Sequence, residues 1–283
     1  MKVIITGGSG RAGVHTVREF ADAGHEVVNL DVRRPEQPLP GGFIQLDLTD
    51  AGEVYDAMIQ VKPDWVCHLA ANPSPSGYPR QQTFGNNVIS TYNVMQAAGD
   101  LGVKRLVYAS SEMATGWLTT DKLPPRFPFN EEERVDSPNA YALSKYLGEP
   151  IADSMVVRYP NLAICSLRIN NIILPENYAV LEYRRNNFPA GGGNFWSYID
   201  ARDVAGACRA ALEGESSGHE VFLIAAADTC LDMPIQEAIE RHYGPGANFA
   251  PNHGPHQSAF DCSKIKRFFG WTPQHSWRDR YTV

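Results

Sequence analysis

The sequence predicts an α/β protein built on a doubly wound parallel sheet, with a small lobe toward the C-terminus. Three observations carry this prediction. Apolar runs alternate with segments of helical periodicity over most of the 283 residues, which is the pattern of a parallel sheet covered by helices on both faces. The first apolar run leads into a glycine-rich stretch at 7–13. The second ends in Asp31, 21 residues after Gly10.

The predicted strands and helices follow one another along the chain. Short runs rich in β-branched residues indicate strands, and longer runs with a period near 3.6 indicate helices. The strands are expected at residues 2–6, 26–31, 43–48, 65–70, 105–110, 162–169 and 220–225. The helices are expected at residues 13–23, 51–61, 86–101, 138–159 and 202–213.

Two stretches do not fit a plain doubly wound domain. Residues 170–195 mix polar, aromatic and basic side chains with a triple-glycine break, and residues 226–283 continue past the last predicted strand. We therefore expect residues 1–169 plus 196–225 to form one domain and residues 170–195 plus 226–283 to form the lobe. The aromatic residues Phe268, Phe269 and Trp271 are expected to belong to the core of that lobe.

Composition and charge narrow the class of partner. The chain is 43% hydrophobic and 20% charged, with a net charge of −7 and a pI near 5.6, so it has no basic patch typical of proteins that bind nucleic acid or an anionic membrane. Five scattered cysteines without C-x-x-C spacing argue against disulfides and zinc. No run approaches the ~20 apolar residues of a membrane span, and no signal-peptide pattern is seen. We expect a cytoplasmic protein with a small-molecule ligand and no metal.

The glycine-rich stretch has the spacing G-x-x-G-x-x-G at Gly7, Gly10 and Gly13. Gly7 permits a tight turn after the first strand, Gly10 lets the backbone approach a ligand without a Cβ, and Gly13 lets the next helix pack closely on the strand. That helix begins near Arg11 and directs its free N–H groups and positive dipole end toward a pyrophosphate. The pattern predicts a dinucleotide site in a Rossmann-type sheet.

Asp31 decides between the two nicotinamide dinucleotides. A carboxylate at the end of the second strand accepts hydrogen bonds from both ribose hydroxyls of NAD and repels the 2′-phosphate of NADP. Arg11, Arg33 and Arg34 lie near where such a phosphate would sit, so NADP is the alternative. The sequence favours NAD.

A Tyr-x-x-x-Lys pair, Tyr141 and Lys145, lies on the predicted fourth helix, which we expect to be capped by Ser137 with Pro138 in its first turn. Residues at i and i+4 share a helix face, and a neighbouring ammonium favours the ionised form of a phenol. We therefore expect Lys145 to lower the pKa of Tyr141 and make it a usable acid and base. Pro150 is expected to kink or end this helix.

Hydroxyl groups end the fifth predicted strand, at Ser110 and Ser111. The carboxyl ends of parallel strands are where such sheets bind ligands. Ser111 is therefore placed to hydrogen-bond the reacting oxygen of a substrate.

These motifs together resemble the extended short-chain dehydrogenases/reductases of the NAD-dependent epimerase/dehydratase group. Further pieces in the right order are 47–48, 68–71, 87–94, 167–171, 198–204 and 270–273. The resemblance implies that Ser111, Tyr141 and Lys145 form the catalytic triad. It also implies a homodimer that pairs the helices holding residues 87–101 and 141–159.

The same resemblance assigns the cofactor site. Asp47 and Leu48 would flank the adenine, residues 69–71 would line the cofactor groove, and Asn87 would support the active-site side. The full predicted set of cofactor-binding residues is Gly7, Ser9, Gly10, Arg11, Ala12, Gly13, Asp31, Asp47, Leu48, Leu69, Ala70, Ala71, Asn87, Tyr141 and Lys145.

Departures from the family pattern concern the substrate. Sugar dehydratases of this group carry Asp and Glu after the triad hydroxyl, where this chain has Glu112 and Met113, and Met113 takes no proton, so dehydration is disfavoured. The segment before Trp196 is shorter than in nucleotide-sugar epimerases and is similar to uronate dehydrogenases, which favours a smaller substrate. Arg184 and Arg185 are candidates to pair with a carboxylate or phosphate.

The predicted substrate contacts are Ser111, Glu112, Asn171 and Arg184. The expected function is an NAD-dependent oxidoreductase that transfers hydride from a hydroxyl or lactol carbon of a small sugar or sugar acid to the nicotinamide. Two alternatives stay open at this point. One is a nucleotide-sugar epimerase, and the other is a non-catalytic protein that senses dinucleotides.

Overall fold

The computed structural model describes residues 1–120 and 122–280. Its centre is a seven-stranded, all-parallel sheet in the order β3-β2-β1-β4-β5-β6-β9. The strands of this sheet are β1 Lys2–Thr6, β2 Glu26–Asp31, β3 Gly42–Gln45, β4 Trp65–His68, β5 Arg105–Ser111, β6 Ala163–Ile169 and β9 His219–Ile224. The order reverses direction between β1 and β4, which creates the switch point where such sheets bind ligands. The predicted fold class is confirmed.

Helices cover both faces of the sheet. They are α1 Arg11–Asp22, α2 Ala51–Val61, α3 Arg80–Asp100, α4 Ala140–Arg158, α5 Ala179–Asn186, α6 Ala201–Glu213, α7 Ile235–Tyr243 and α8 Ser263–Phe269. One apolar cluster joins α1, α6 and α8 to the sheet, and a second joins α2, α3 and α4 to its other face. The central strands β1, β4, β5 and β6 bury side chains on both sides, which explains the continuous apolar runs of the sequence.

Helix α4 differs from prediction at its start and at Pro150. It begins at Ala140, and its cap is Asn139, whose side chain accepts hydrogen bonds from the N–H groups of Tyr141 and Ala142. Ser137 instead accepts from the N–H of Asn139 and bonds to the Thr119 hydroxyl, so the cap prediction is wrong by two residues. The helix continues through Pro150 to Arg158 and does not end there.

A third apolar cluster forms the core of the lobe. Its members come from β7 Ile172–Ile173, helices α5 and α7, the residues just before β8 Ile199–Asp200, which pairs with β7, and the loop that holds Phe127 and Phe129. Phe129 packs on Phe260 at a ring distance of 4.6 Å. The loop before α4 therefore contributes to the lobe, although the sequence places it in the sheet domain.

Helix α8 also packs differently from expectation. Phe268 and Phe269 contact Phe222 of β9 at ring distances of 5.3 and 5.2 Å, and Trp271 belongs to the cluster under α1 and α6. These aromatic residues cover the sheet and do not form the core of the lobe, because the chain returns to the sheet after α7. In the described part of the chain, no helix combines the length and the apolar character that a membrane crossing requires.

Candidate active site

Many of the predicted site residues lie at the carboxyl edge of the sheet, because they follow the ends of strands. The glycine-rich turn follows β1, Asp31 ends β2, Asp47 and Leu48 follow β3, and residues 69–71 follow β4. Ser111 ends β5, and Asn171 follows β6. Arg184 reaches the same edge from α5 in the lobe.

The glycine-rich turn has no room for side chains at two positions. Gly7 has a φ of +70°, and a Cβ there would lie 2.7 Å from the Ala70 backbone. A Cβ on Gly13 would lie 2.0 Å from the Gly7 carbonyl oxygen. The turn therefore lies directly against the loop after β4, and α1 packs tightly on β1, as the sequence predicts.

The N-terminus of α1 is suited to an anionic ligand. Its cap residue, Gly10, offers no side-chain hydrogen bond, and the first turn, which contains Arg11, Ala12 and Gly13, has no acidic residue. The first N–H groups of a helix have no partner within the helix, and here no side chain of the cap takes their place. This donor set fits the pyrophosphate of a dinucleotide.

Asp31 lies beside that turn. Its carboxylate accepts hydrogen bonds from the N–H of Ser9 at 3.0 Å and from the N–H of Arg33 at 3.1 Å. Ser9 also donates its hydroxyl to the Arg33 carbonyl at 2.7 Å. These bonds hold Asp31 at the edge of the groove, and each carboxylate oxygen keeps a second lone pair for a ribose hydroxyl.

Asn87 ties two walls of the groove together. Its Oδ1 accepts from the N–H of Asn72 at 2.7 Å, while its Nδ2 donates to the Asn72 carbonyl and to the Ser144 hydroxyl. Ser144 lies on α4 between Tyr141 and Lys145. The loop after β4 is thereby fixed to the helix that carries the Tyr-x-x-x-Lys pair.

The adenine side of the groove is also held by local bonds. Asp47 accepts from the N–H and the hydroxyl of Thr49 at 2.9 and 2.8 Å. Leu48 is buried, and its carbonyl accepts from Asn93 at 3.0 Å. Within residues 1–120 and 122–280, no three His, Cys, Asp or Glu side chains are grouped to hold a metal ion.

Ser111, Tyr141 and Lys145 are all buried. The Tyr141 hydroxyl hydrogen-bonds to Ser111, and Lys145 donates from Nζ to the Ala109 carbonyl at 2.7 Å. The ring of Tyr108 lies 5.4 Å from the same Nζ. The three predicted triad residues therefore meet at the end of β5, beside the groove.

The structure corrects the expectation that Lys145 lowers the pKa of Tyr141. Burial raises the pKa of the Tyr141 phenol to about 12. The Glu112 charge also raises this pKa, and the hydrogen bond with Ser111 lowers it. Burial also lowers the pKa of Lys145 to about 7. Desolvation therefore outweighs the attraction that the i, i+4 spacing suggests.

Three of the predicted substrate residues carry a buried polar atom with no hydrogen-bond partner in the described chain. These atoms are Glu112 Oε2, Asn171 Oδ1 and Arg184 Nη1. Buried polar groups in proteins are almost always paired, so a cluster of unpaired ones beside a groove is typical of a ligand site. Arg185 is different, because its Nε pairs with Asp232 at 2.5 Å, whereas the charge of Arg184 acts on Glu112.

Trp196 is a further candidate site residue, which the sequence did not predict. It is fully buried with a φ of +51°, a backbone region that non-glycine residues seldom adopt and that clusters at functional sites. Its indole N–H has no partner in the described chain. A Cβ on Gly191 would lie 2.9 Å from Arg184 Cδ and 3.3 Å from Trp196 Cδ1, so Gly191 brings the two side chains together. The only sequence signal for this arrangement was the run of glycines before Trp196, which indicates an unusual backbone conformation there.

Residues 3–225 match the NAD dependent epimerase/dehydratase family. A UDP-glucose 4-epimerase of Lactobacillus helveticus is 26% identical over 97% of this chain and 93% of its own length. An NAD-dependent glucose-6-phosphate dehydrogenase of Haloferax volcanii is 30% identical over 73% of this chain and 79% of its own.

Solved structures share the fold. The UDP-glucose 4-epimerase of Thermotoga maritima, crystallised with UDP-glucose, superposes with a TM-score of 0.75 at 22% identity, covering 98% of this chain and 94% of that one. The Thermus thermophilus enzyme in complex with NAD gives a TM-score of 0.71 at 24% identity, covering 98% and 95%.

Proposed function

The chain belongs to the NAD dependent epimerase/dehydratase family, and from that membership we propose that it is an oxidoreductase of a small sugar or sugar acid. In the proposed reaction, a hydroxyl or lactol carbon of the sugar loses a hydride to the cofactor, and the oxygen on that carbon loses a proton to the protein. The observation that carries the proposal is that Ser111, Tyr141 and Lys145 are buried together at the carboxyl end of β5, beside the groove.

NAD is the cofactor of the family, in agreement with the carboxylate at Asp31. The residues that would hold it are the α1 N-terminus for the pyrophosphate, Asp31 for the adenosine ribose, Asp47 and Leu48 for the adenine, and Lys145 for the second ribose. When bound, NAD supplies the hydride acceptor and the positive charge of its nicotinamide ring.

The protein residues handle the proton. Ser111 orients the substrate oxygen by a hydrogen bond, and Tyr141 takes the proton of that oxygen in oxidation or returns it in reduction. Because burial holds the pKa of Tyr141 at about 12, the phenol is neutral before ligands bind, so it starts as an acid. In the opposite direction the phenol must ionise, and the Lys145 ammonium, one helical turn along α4 and bonded to the Ala109 carbonyl, would favour that form.

The pocket donors favour an anionic sugar. Arg184 Nη1 and the indole N–H of Trp196 are both buried and unpaired within the described chain, and their side chains both lie next to Gly191. Two such donors suit a carboxylate or a phosphate. The Haloferax volcanii relative, by its name, acts on glucose 6-phosphate, which is consistent with an anion at this position.

The test is turnover on a sugar panel. D-glucuronate, D-galacturonate, D-glucose 6-phosphate and neutral D-glucose are each incubated with the protein and NAD, and NADH is followed by absorbance. We expect NADH with at least one anionic sugar, and its absence with every sugar contradicts the proposal. Tyr141→Phe is expected to abolish turnover with little change in NAD affinity. The matched control is Tyr146→Phe on the same helix, whose ring lies under Arg134.

A second candidate is a nucleotide-sugar epimerase, favoured by the match along 97% of the chain to the Lactobacillus helveticus protein. An epimerase returns the hydride to the opposite face of the sugar, so no net NADH forms. Incubation with UDP-glucose and chromatography of the products distinguishes the two. UDP-galactose without NADH favours the epimerase.

We also propose that two copies pair through α3 and α4. Apolar side chains are exposed on both helices, at Ile89 and Tyr92 on α3 and at Leu143 and Val157 on α4. Light scattering after gel filtration gives the molar mass in solution. Val157→Glu is expected to shift a dimer to monomer, whereas Val180→Glu, on the exposed face of α5, is expected to leave the mass unchanged.

A further inference from the structure

Glu112 is a buried acid directly beside the triad. It begins a short 3-10 turn right after Ser111, it is 6% exposed, and its Oε2 has no hydrogen-bond partner in the described chain. An ionised carboxylate in such a place would lose more hydration than its protein neighbours replace. The position therefore requires either a partner from a ligand or a neutral acid.

Its neighbours come from three other elements. The Tyr141 phenol on α4 lies close enough for the Glu112 charge to raise its pKa. The backbone N–H of Asn171 after β6 and the Arg184 guanidinium on α5 both lower the pKa of Glu112. Glu112 nevertheless forms no ion pair with any described residue within 4 Å. The guanidinium is thus near the acid but does not neutralise it.

We propose that Glu112 is held as a neutral carboxylic acid that donates a hydrogen bond to an oxygen of the substrate, which leaves the charge of Arg184 available for an anionic group on that substrate. This inference rests on the proposed function for the identity of the ligand. It makes Glu112 a specificity-determining residue next to Tyr141, which remains the group that moves the proton.

Electrostatics explain why the neutral form matters. An ionised Glu112 would compete with the ligand for Arg184 and would repel a carboxylate or phosphate held a few ångströms away. A neutral acid does neither and still supplies one O–H donor. Burial raises the pKa of Glu112 to about 8, although the Asn171 N–H and the Arg184 charge lower it. The acid is therefore neutral at pH 7 and ionises in mildly alkaline solution.

Infrared difference spectroscopy of the NAD-loaded protein tests the protonation state. At pH 7, subtraction of the Glu112→Gln spectrum from the wild-type spectrum is expected to leave the carbonyl stretch of a protonated carboxyl group, which disappears as the pH rises through about 8. Glu240→Gln, on the exposed side of α7, removes a carboxylate and is expected to leave no such band. Glu112→Ser replaces Glu112→Gln if the latter does not fold. A wild-type spectrum without this band overturns the proposal.

Calorimetric binding to the NAD-loaded protein tests the hydrogen bond. D-glucuronate and D-glucose 6-phosphate are titrated at pH 6.5 and pH 9. Wild type is expected to lose about tenfold in affinity at pH 9, the size of one hydrogen bond to a charged ligand, whereas Glu112→Gln, which keeps a neutral donor, is expected to change less than about threefold.

Equal pH dependence in the two proteins overturns the inference, and so does failure of both sugars to bind to wild type. Neither the spectra nor the titrations require turnover. A protein that binds these sugars in the expected way but never produces NADH therefore disproves the proposed oxidation and leaves the role of Glu112 standing.

Discussion

Arg168 on β6 holds Glu149 on α4 through two parallel hydrogen bonds in the protein interior. Both are 2.9 Å long, from Nε to Oε1 and from Nη2 to Oε2, and both side chains are about 95% buried. Ser110 donates to the same Oε1 at 2.7 Å. Because Glu149 lies one turn beyond Lys145, this pair fixes the triad helix against the strand next to β5.

Removing the guanidinium is expected to be costly. Arg168→Met leaves Glu149 as a buried, uncompensated charge, which lowers the free energy of unfolding by about 3–5 kcal/mol. Arg209→Met breaks the half-exposed pair with Glu19 and is expected to cost about 1 kcal/mol or less. Urea unfolding of the two variants checks this. Equal losses would show that the buried pair has no special role in stability.

The sheet could be predicted from the sequence because its signals are local. Every predicted strand of the sheet is present, and α2 has the predicted bounds of Ala51–Val61, since β-branched runs and helix periods need no distant partner. The structure of the lobe was harder to predict from the sequence. Its strands β7 and β8 have only two residues each. Its core also depends on distant contacts, since Phe129 packs on Phe260, which lies more than 100 residues later in the chain.

The site was predictable in position but less so in its energetics. Motif spacing places Tyr141 and Lys145 correctly on α4, yet their pKa values follow burial, which depends on packing that no short motif encodes. Trp196 was missed because the left-handed backbone after Gly191 sets the direction of its side chain, and no sequence motif predicts that backbone conformation.

The close packing of α1 on β1 is expected to reject a side chain at Gly13. In Gly13→Ala the new Cβ meets the Gly7 carbonyl oxygen and the Gly8 Cα, at 2.0 and 2.6 Å, and backbone atoms must move. We expect a loss of about 1–3 kcal/mol in unfolding free energy and weaker NAD binding.

Gly206→Ala is the matched control for this change. It lies inside α6, the helix packed beside α1, where a Cβ would be 3.6 Å from the Trp271 indole. Without a clash, removal of a helical glycine is expected to stabilise by about 0.5–1 kcal/mol. Thermal unfolding with and without NAD measures both variants. A stable Gly13→Ala with normal NAD affinity would contradict this account of the turn.

Burial of Lys145 is expected to make stability depend on pH in a defined direction. Its pKa is about 7 in the folded protein and 10.5 as the ordinary value, so between these pH values the unfolded chain binds more protons and the free energy of unfolding rises with pH, by at most about 1.4 kcal/mol per unit. Below pH 7 the folded protein carries the full cost of a buried ammonium.

Lys145→Met removes this contribution. Its unfolding free energy relative to wild type is expected to be highest near pH 6.5 and to fall toward pH 10, as measured by urea unfolding at four pH values. For Lys104→Met, at an exposed position before β5, the unfolding free energy is expected to change with pH in the same way as that of wild type. A pH-independent difference for Lys145→Met would mean that the ammonium is well solvated.

Asp31 is expected to set the preference for NAD over NADP. The carboxylate is held by the N–H groups of Ser9 and Arg33, and the exposed side chains of Arg33 and Arg34 lie just beyond it. In wild type the carboxylate repels a 2′-phosphate and the ratio of dissociation constants favours NAD. In Asp31→Asn the shape is kept and the charge is lost, so the two arginines act on the phosphate unopposed.

We expect Asp31→Asn to shift that ratio toward NADP by about tenfold or more, the effect of a single charge at close range. Fluorescence titration with each reduced cofactor gives both constants. Asp56→Asn, which removes an exposed charge on α2, is expected to leave the ratio unchanged. If wild type binds NADPH more tightly than NADH, the arginines outweigh Asp31, and the cofactor specificity inferred from this carboxylate is wrong.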